Sequence, residues 1–294
     1  MYLMRIGPAG AEVPAVRVGE DRYVAVSDTV GDIDASFLAS DTVASLDALV
    51  AERVAAGKAR PLEGARIGPP IVRPHQIICV GLNYTDHAAA TGQTVPAEPV
   101  ITTKAPNTLS GPHDRLVLPP GSTRTDWEVE LGIVIGRRAY RLADERDAEE
   151  AIAGYTLVND VSERALQFEH GGQWIKGKAA PTFTPCGPVL ATRDEIADVR
   201  ALDLRLDVNG TTRQRGSTKD MVFGPAWLVR YLSHFMVLEP GDLICTGTPA
   251  GTGMTSDPPV YLASGDVVEL DGGPLGLQRH TVTDSGPDPV AETH

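Results

Sequence analysis

The segment 125–136, TDWEVELGIVIG, constrains the fold more than any other stretch of the chain. Strand side chains alternate faces, so residues two apart project the same way. Trp127, Val129, Leu131, Ile133 and Ile135 form one apolar face. Asp126, Glu128, Glu130 and then Gly132 occupy the other. Glu128 and Glu130 stand side by side and repel. A cation between them, or a proton on one of them, relieves the repulsion. The alternative is a half-buried strand whose acidic face is solvated.

The rest of the chain reads mainly as strands. Residues 15–26 fit a hairpin, and LDLRLDV-NG-TTRQ (202–214) is a second one turning at Asn209-Gly210. DVVEL (266–270) and LGLQRHTVT (275–283) form a third pair around DGGP. Helices are few. Val43, Leu46, Val50 and Val54 follow helical spacing before Gly57. A helix is expected near Asp160, and another from Pro225 to about Leu238. No βαβ alternation is visible, which points to a closed or rolled β architecture of mixed α+β class. Prolines at 61, 69, 70 and 74 mark a linker. The expected organisation is a small N-terminal unit (1–62), a main domain (71–285) and a frayed tail (286–294).

At 294 residues with net charge −13, the chain lacks the cationic surplus that nucleic acid or an anionic membrane demands. No long apolar run predicts a membrane span, and the N-terminus has no leader signature. Cys79, Cys186 and Cys245 are widely spaced, which fits reduced thiols in a cytoplasmic protein.

Four further segments carry candidate chemistry. Asp160, in GYTLVNDVSERALQ (154–167), offers a third carboxylate, although its spacing to Glu163 also fits a helix cap. Three carboxylates completed by water suit Mg²⁺, then Mn²⁺ or Ca²⁺, and the lack of a Cys or His pair argues against zinc. His87, in GLNYTDHAAATG (81–92), lies on a short helical turn after a strand and is a candidate general base or a structural imidazole. GGQWIKGK (171–178) spells GxxxxGK, but Ala179 replaces the hydroxyl a phosphate loop needs. Its lysines suit a substrate carboxylate and its glycines a lid. CTGTPAGTG (245–253) is a tight turn able to offer N–H groups and hydroxyls to an oxyanion, or an ordinary β-turn.

Together these segments, in this order, resemble the fumarylacetoacetate hydrolase family over about residues 71–283, most closely its diketo-deoxy-sugar-acid hydrolase and acylpyruvase branch. The resemblance implies a rolled β-sandwich or barrel core with a small N-terminal domain, commonly in a homodimer. It implies Glu128, Glu130 and Asp160 as ligands, usually of Mg²⁺, and His87 as the residue that activates water. Lys178 would polarise substrate, and Lys104, Gln167 and Thr248 would contact it. The implied reaction is hydrolysis of a C–C bond in a small 1,3-diketo acid through a pyruvate enolate. Relatives usually carry Glu three residues after the histidine, where this chain has Ala90. Glu169 is a candidate substitute. Decarboxylation or keto–enol isomerisation is the alternative within the family, and a non-catalytic metal-binding protein the alternative outside it.

Overall fold

The computed structural model describes residues 1–40 and 42–285. The expected tail, 286–294, lies outside the described residues. The largest sheet has ten strands, with Val129–Ile135 near its middle. This strand pairs antiparallel with Ile152–Asn159 on one side and Leu243–Cys245 on the other. Leu243–Cys245 runs parallel to Ile77–Gly81, which pairs with the edge strand Val100–Lys104. A second, five-stranded sheet is built from Thr211–Ser217, Asp203–Val208, Val267–Asp271, Leu277–Asp284 and Leu116–Leu118.

The alternation in 125–136 sets how the sheets stack. Trp127, Val129, Leu131, Ile133 and Ile135 belong to one buried cluster with Leu204, Leu206, Val208, Val268 and Leu270 of the second sheet. The result is a mixed, strand-rich α+β fold with sheet packed on sheet, as the pattern predicts. The solvated acidic face does not occur. Every residue of Val129–Ile135 is buried, and Val134, on the Glu side, joins a separate core cluster.

That second cluster also holds Leu3, Val16, Val24 and Leu46. Strand Tyr2–Ile6 pairs with Leu190–Thr192, so the strands of residues 2–61 extend the same ten-stranded sheet. The proline-marked linker therefore does not separate the N-terminal strands from the sheet. The hairpins expected at 15–26 and around Asn209-Gly210 form, the latter with positive φ at both turn residues. The helix Thr42–Ala55 ends before Gly57, which has φ +71°.

Two helix boundaries differ from expectation. The helix from Pro225 stops at Ser233, because Leu238 leaves to form a bridge with Ala139. No helix starts at Asp160. The helix is Arg164–Phe168, and Glu163 is its cap, accepting from Ala165 N. The helix Glu145–Ala151, capped by Asp144, has too narrow an apolar stripe to stand out in the sequence. Among the described residues no helix is long and apolar enough to cross a membrane. The three cysteines are buried and free.

The joint between Ile152–Asn159 and Leu190–Thr192 depends on Gly154, where a Cβ would lie 2.1 Å from Ala191 O. Gly154→Ala is expected to lower unfolding free energy by about 2–3 kcal/mol, the scale of overpacking in a core. Urea unfolding checks this, and an unchanged midpoint would contradict the close strand approach.

Candidate metal centre

The central strand and its neighbours bring three carboxylates together. Glu128 immediately precedes Val129–Ile135, Glu130 lies within it, and Asp160 follows the end of Ile152–Asn159. Glu128 N donates to Asn159 Oδ1 and Asp160 N to Glu128 O, which fixes the two chain segments against each other. One oxygen from each of Glu128, Glu130 and Asp160 lies within 4.8 Å of the others, and all three residues are buried.

Cations surround two of the three. Lys104 Nζ donates to Asp160 Oδ1 at 2.6 Å and to Val161 O at 2.9 Å. Lys178 Nζ lies 2.6 Å from Asp160 Oδ2, 3.1 Å from Glu128 Oε2 and 2.8 Å from Ser162 Oγ. Arg164 Nη2 lies 2.7 Å from Glu128 Oε1 and 2.9 Å from Asp126 Oδ2. Its charge contacts are close, but its hydrogens are not aligned with either oxygen. Arg164 is held instead through Nε to Asp126 and Nη1 to Gln167 Oε1. Asp126 also accepts from Gly253 N and Met254 N.

Among the described residues the Glu130 side chain has no cationic partner of this kind, and it accepts one hydrogen bond, from Gly247 N at 2.8 Å. The backbone can approach because Gly247 has φ +95° and no Cβ, which would meet Val80 O at 2.9 Å. The electrostatics follow. Burial raises the Asp160 carboxyl, but Lys104 and Lys178 outweigh it and hold the group below the usual range. Burial likewise opposes ionisation of Glu128, and Lys178 and Arg164 overcome it. Burial pushes Glu130 well above its usual value, and the Asp160 and Glu128 charges add to the rise.

This set fits a hard divalent cation. Its donors are oxygens only, and it holds one carboxylate more than its cations neutralise. Asp126, Glu128, Glu130 and Asp160 face Lys104, Arg164 and Lys178.

A cavity of about 50 Å³ opens on the cluster and is lined by His87, Gln167, Lys178 and Thr248 as well as the carboxylates. His87 lies on the helix Thr85–Ala90 and is buried. Burial lowers its pKa, and among the described residues its Nδ1 has no hydrogen-bond partner. Lys178 ends the short helix Ile175–Lys178, which packs on Arg164–Phe168. Burial opposes its charge, but Asp160 and Glu128 raise its pKa, so it remains an ammonium.

Three expected placements differ. Lys104 does not line the cavity. Its ammonium is fully buried behind Asp160. Thr248 lines the cavity, yet its hydroxyl donates to Val129 O and accepts from Gln214. Gly247 N is likewise committed to Glu130, so the turn ties the central strand down instead of presenting free donors. Glu169 is exposed, pairs with Arg124 and does not line the cavity. Asp86 accepts from His87 N and Ala250 N, so it is not positioned by its bonds as a partner for the imidazole ring. Arg164 and Ser162 are site residues that the sequence reading passed over. Asp126, on the same strand face as Glu128, was the available signal for a buried cation.

The fold and this centre place the chain in a superfamily of hydrolases and isomerases, with a buried acidic cluster compatible with a divalent-metal site. It belongs to the fumarylacetoacetate hydrolase family, whose model, described as Fumarylacetoacetate (FAA) hydrolase C-terminal, matches residues 76–283. A Burkholderia multivorans protein that carries a provisional hydrolase name is 46% identical over 279 residues, covering 95% of this chain and 97% of the relative. A solved Mycobacterium abscessus structure, provisionally named a 2-hydroxyhepta-2,4-diene-1,7-dioate isomerase, is 34% identical with TM-score 0.78, covering 98% of this chain and 100% of that one. Maleylpyruvate hydrolase from Sphingobium sp. SYK-6, solved with manganese(II) and pyruvate, is 26% identical with TM-score 0.81, covering 97% and 100%.

Glu130→Gln removes the carboxylate that no side-chain cation offsets. The metal-free variant is expected to be at least as stable as the parent, while the rise in melting temperature that Mg²⁺ gives the parent disappears. A parent-like Mg²⁺ response in the variant would contradict the assignment.

Proposed function

We propose that this protein is a divalent-metal-dependent hydrolase of the acylpyruvase type, cleaving a C–C bond in a 1,3-diketo acid. The observation that carries the reading is one cavity lined by three buried carboxylates, by Lys178, whose ammonium contacts two of them, and by His87, whose Nδ1 has no hydrogen-bond partner among the described residues. Glu128, Glu130 and Asp160 would hold the ion, with Mg²⁺ the leading choice and Mn²⁺ or Ca²⁺ the alternatives. Manganese in the maleylpyruvate hydrolase structure supports a divalent ion in this fold. When bound, the ion would supply Lewis acidity to a keto acid and positive charge to offset a developing enolate.

His87 takes a proton from water, the hydroxide adds to the more distant carbonyl, and collapse of the adduct breaks the C–C bond to leave a carboxylic acid and a pyruvate enolate whose carbon takes up the proton. Its burial suits this role, since a neutral imidazole can accept. Lys178 cannot act as a base while two carboxylates hold its proton. It supplies fixed positive charge where negative charge develops. Arg164 holds Gln167 through Nη1 and offsets the charge of Glu128. Lys104 sets the position of Asp160 from behind. A homodimer of cytoplasmic location, expected from the resemblance and the cysteine pattern, completes the proposal.

A second reading is decarboxylation or keto–enol isomerisation at the same centre. One observation favours it: among the described residues His87 has no hydrogen-bonded carboxylate to strengthen it as a base. Ala90 and Glu169 do not supply one.

His87→Ala is expected to lower pyruvate release from acylpyruvates by roughly 10²–10⁴-fold while sparing Mg²⁺ binding. Full hydrolysis in this variant would remove His87 from the chemistry. Product analysis separates the two readings, because carbon dioxide without a carboxylic acid co-product indicates decarboxylation. Ala90→Glu should raise hydrolysis if a missing partner limits His87, and an unchanged rate would point to another base.

A further inference from the structure

Resting on the metal reading above, we propose that Gln214 is a positioning residue of the centre: its amide, reaching across from the second sheet, fixes the chain between Glu128 and Glu130. Gln214 lies in Thr211–Ser217, at a buried position opposite Leu206. A wholly buried amide costs free energy unless its polar atoms are bonded. Here both are. Oε1 accepts from Val129 N at 2.9 Å, and Nε2 donates to Thr248 Oγ1 and to Pro249 O, each at 2.8 Å. Thr248 Oγ1 in turn donates to Val129 O at 2.9 Å, which closes a ring of bonds around one residue.

That residue is the one between the two glutamates. Backbone groups of successive strand residues point to opposite sides. Those of Glu128 bond to Asn159 and Asp160, and those of Val129 point the other way. On that side the ladder with Leu243–Cys245 ends at Gly132, and Thr246 N makes the next bond, to Leu131 O. One residue on, Gly247 N turns to the Glu130 carboxylate instead. The backbone ladder thus stops where the ligands begin, and two side chains finish it. The Val129 N–H belongs to the peptide that joins it to Glu128, and its C=O to the peptide that joins it to Glu130. The ring therefore holds both peptides that separate the Cα atoms of these ligands.

Close packing backs the ring. A Cβ on Gly251 would meet Arg213 O at 2.0 Å, and one on Gly216 would meet Pro249 at 2.4 Å, so the turn after Gly247 lies directly on Thr211–Ser217. Gln214 is neutral and touches none of the three carboxylates through its listed bonds to Val129, Thr248 and Pro249, so it acts on the centre through the backbone alone. Groups that orient metal ligands in this way commonly change metal affinity by roughly 10–100-fold when they are removed.

The test is calorimetric titration of the metal-free protein with Mg²⁺, comparing the parent with Gln214→Met, which keeps the length of the side chain and loses both polar atoms. Mg²⁺ affinity should fall roughly ten-fold or more in the variant. Parent-like affinity in folded Gln214→Met overturns the proposal and leaves the metal reading standing. Thr248→Val breaks the ring from its other side and should also weaken binding, whereas Thr248→Ser, which keeps the hydroxyl, should bind Mg²⁺ as the parent does. Equal losses in these two variants count against the ring. Leu206→Val loosens the same core without touching the ring, so it should lower the urea midpoint and spare Mg²⁺ affinity. A loss of affinity there to match Gln214→Met would assign the effect to general loosening and overturn the proposal. A parent that binds no Mg²⁺ overturns the metal reading itself, and this inference with it.

Discussion

Four carboxylates and three cationic side chains meet in the interior of this protein, and the carboxylates are one too many. Removing charges from water is expensive unless each finds a partner. Here Asp160 lies between two lysines, Glu128 between a lysine and an arginine, and Asp126 against the same arginine. Only Glu130 is left with a single backbone N–H. The surrounding structure serves this arrangement. The central strand fixes Glu130, the turn at Gly247 reaches it, and the short helix after Gly172 brings Lys178 underneath.

The same constraint explains why the site is built on strands. Val129–Ile135 is buried on both faces, so its backbone position is set by two cores at once. Glu128 and Asp160 are further locked by bonds between their chain segments. A carboxylate on a loop would turn away from its like-charged neighbours. One held by a ladder on both sides cannot, and the repulsion is retained as a demand for a cation.

Much of this was legible in the chain. Period-two alternation gave the central strand and its apolar face, and Asn209-Gly210 gave a hairpin, because both are local properties. Asp160 was offered as a third carboxylate by its own segment, and family resemblance brought His87 and Lys178 to the same centre. Three things were not legible. The continuity of the N-terminal strands with the main sheet depends on the Tyr2–Ile6 and Leu190–Thr192 pairing, a contact distant in sequence. The burial of Lys104 behind Asp160, and not on the cavity wall, depends on how an edge strand packs. The commitment of Gly247 and Thr248 to the central strand depends on a turn meeting Glu130 and Val129 in space. In each case the deciding partner is remote along the chain.

Each of the proposed reactions would use the same centre, so the ion is the claim on which the others rest. Anomalous diffraction from crystals grown with manganese tests it most directly. The account predicts one strong peak bounded by oxygens of Glu128, Glu130 and Asp160, with Lys178 beside it as a neighbour and not a ligand. Absence of a peak at these carboxylates, with manganese ordered elsewhere or nowhere, would contradict it.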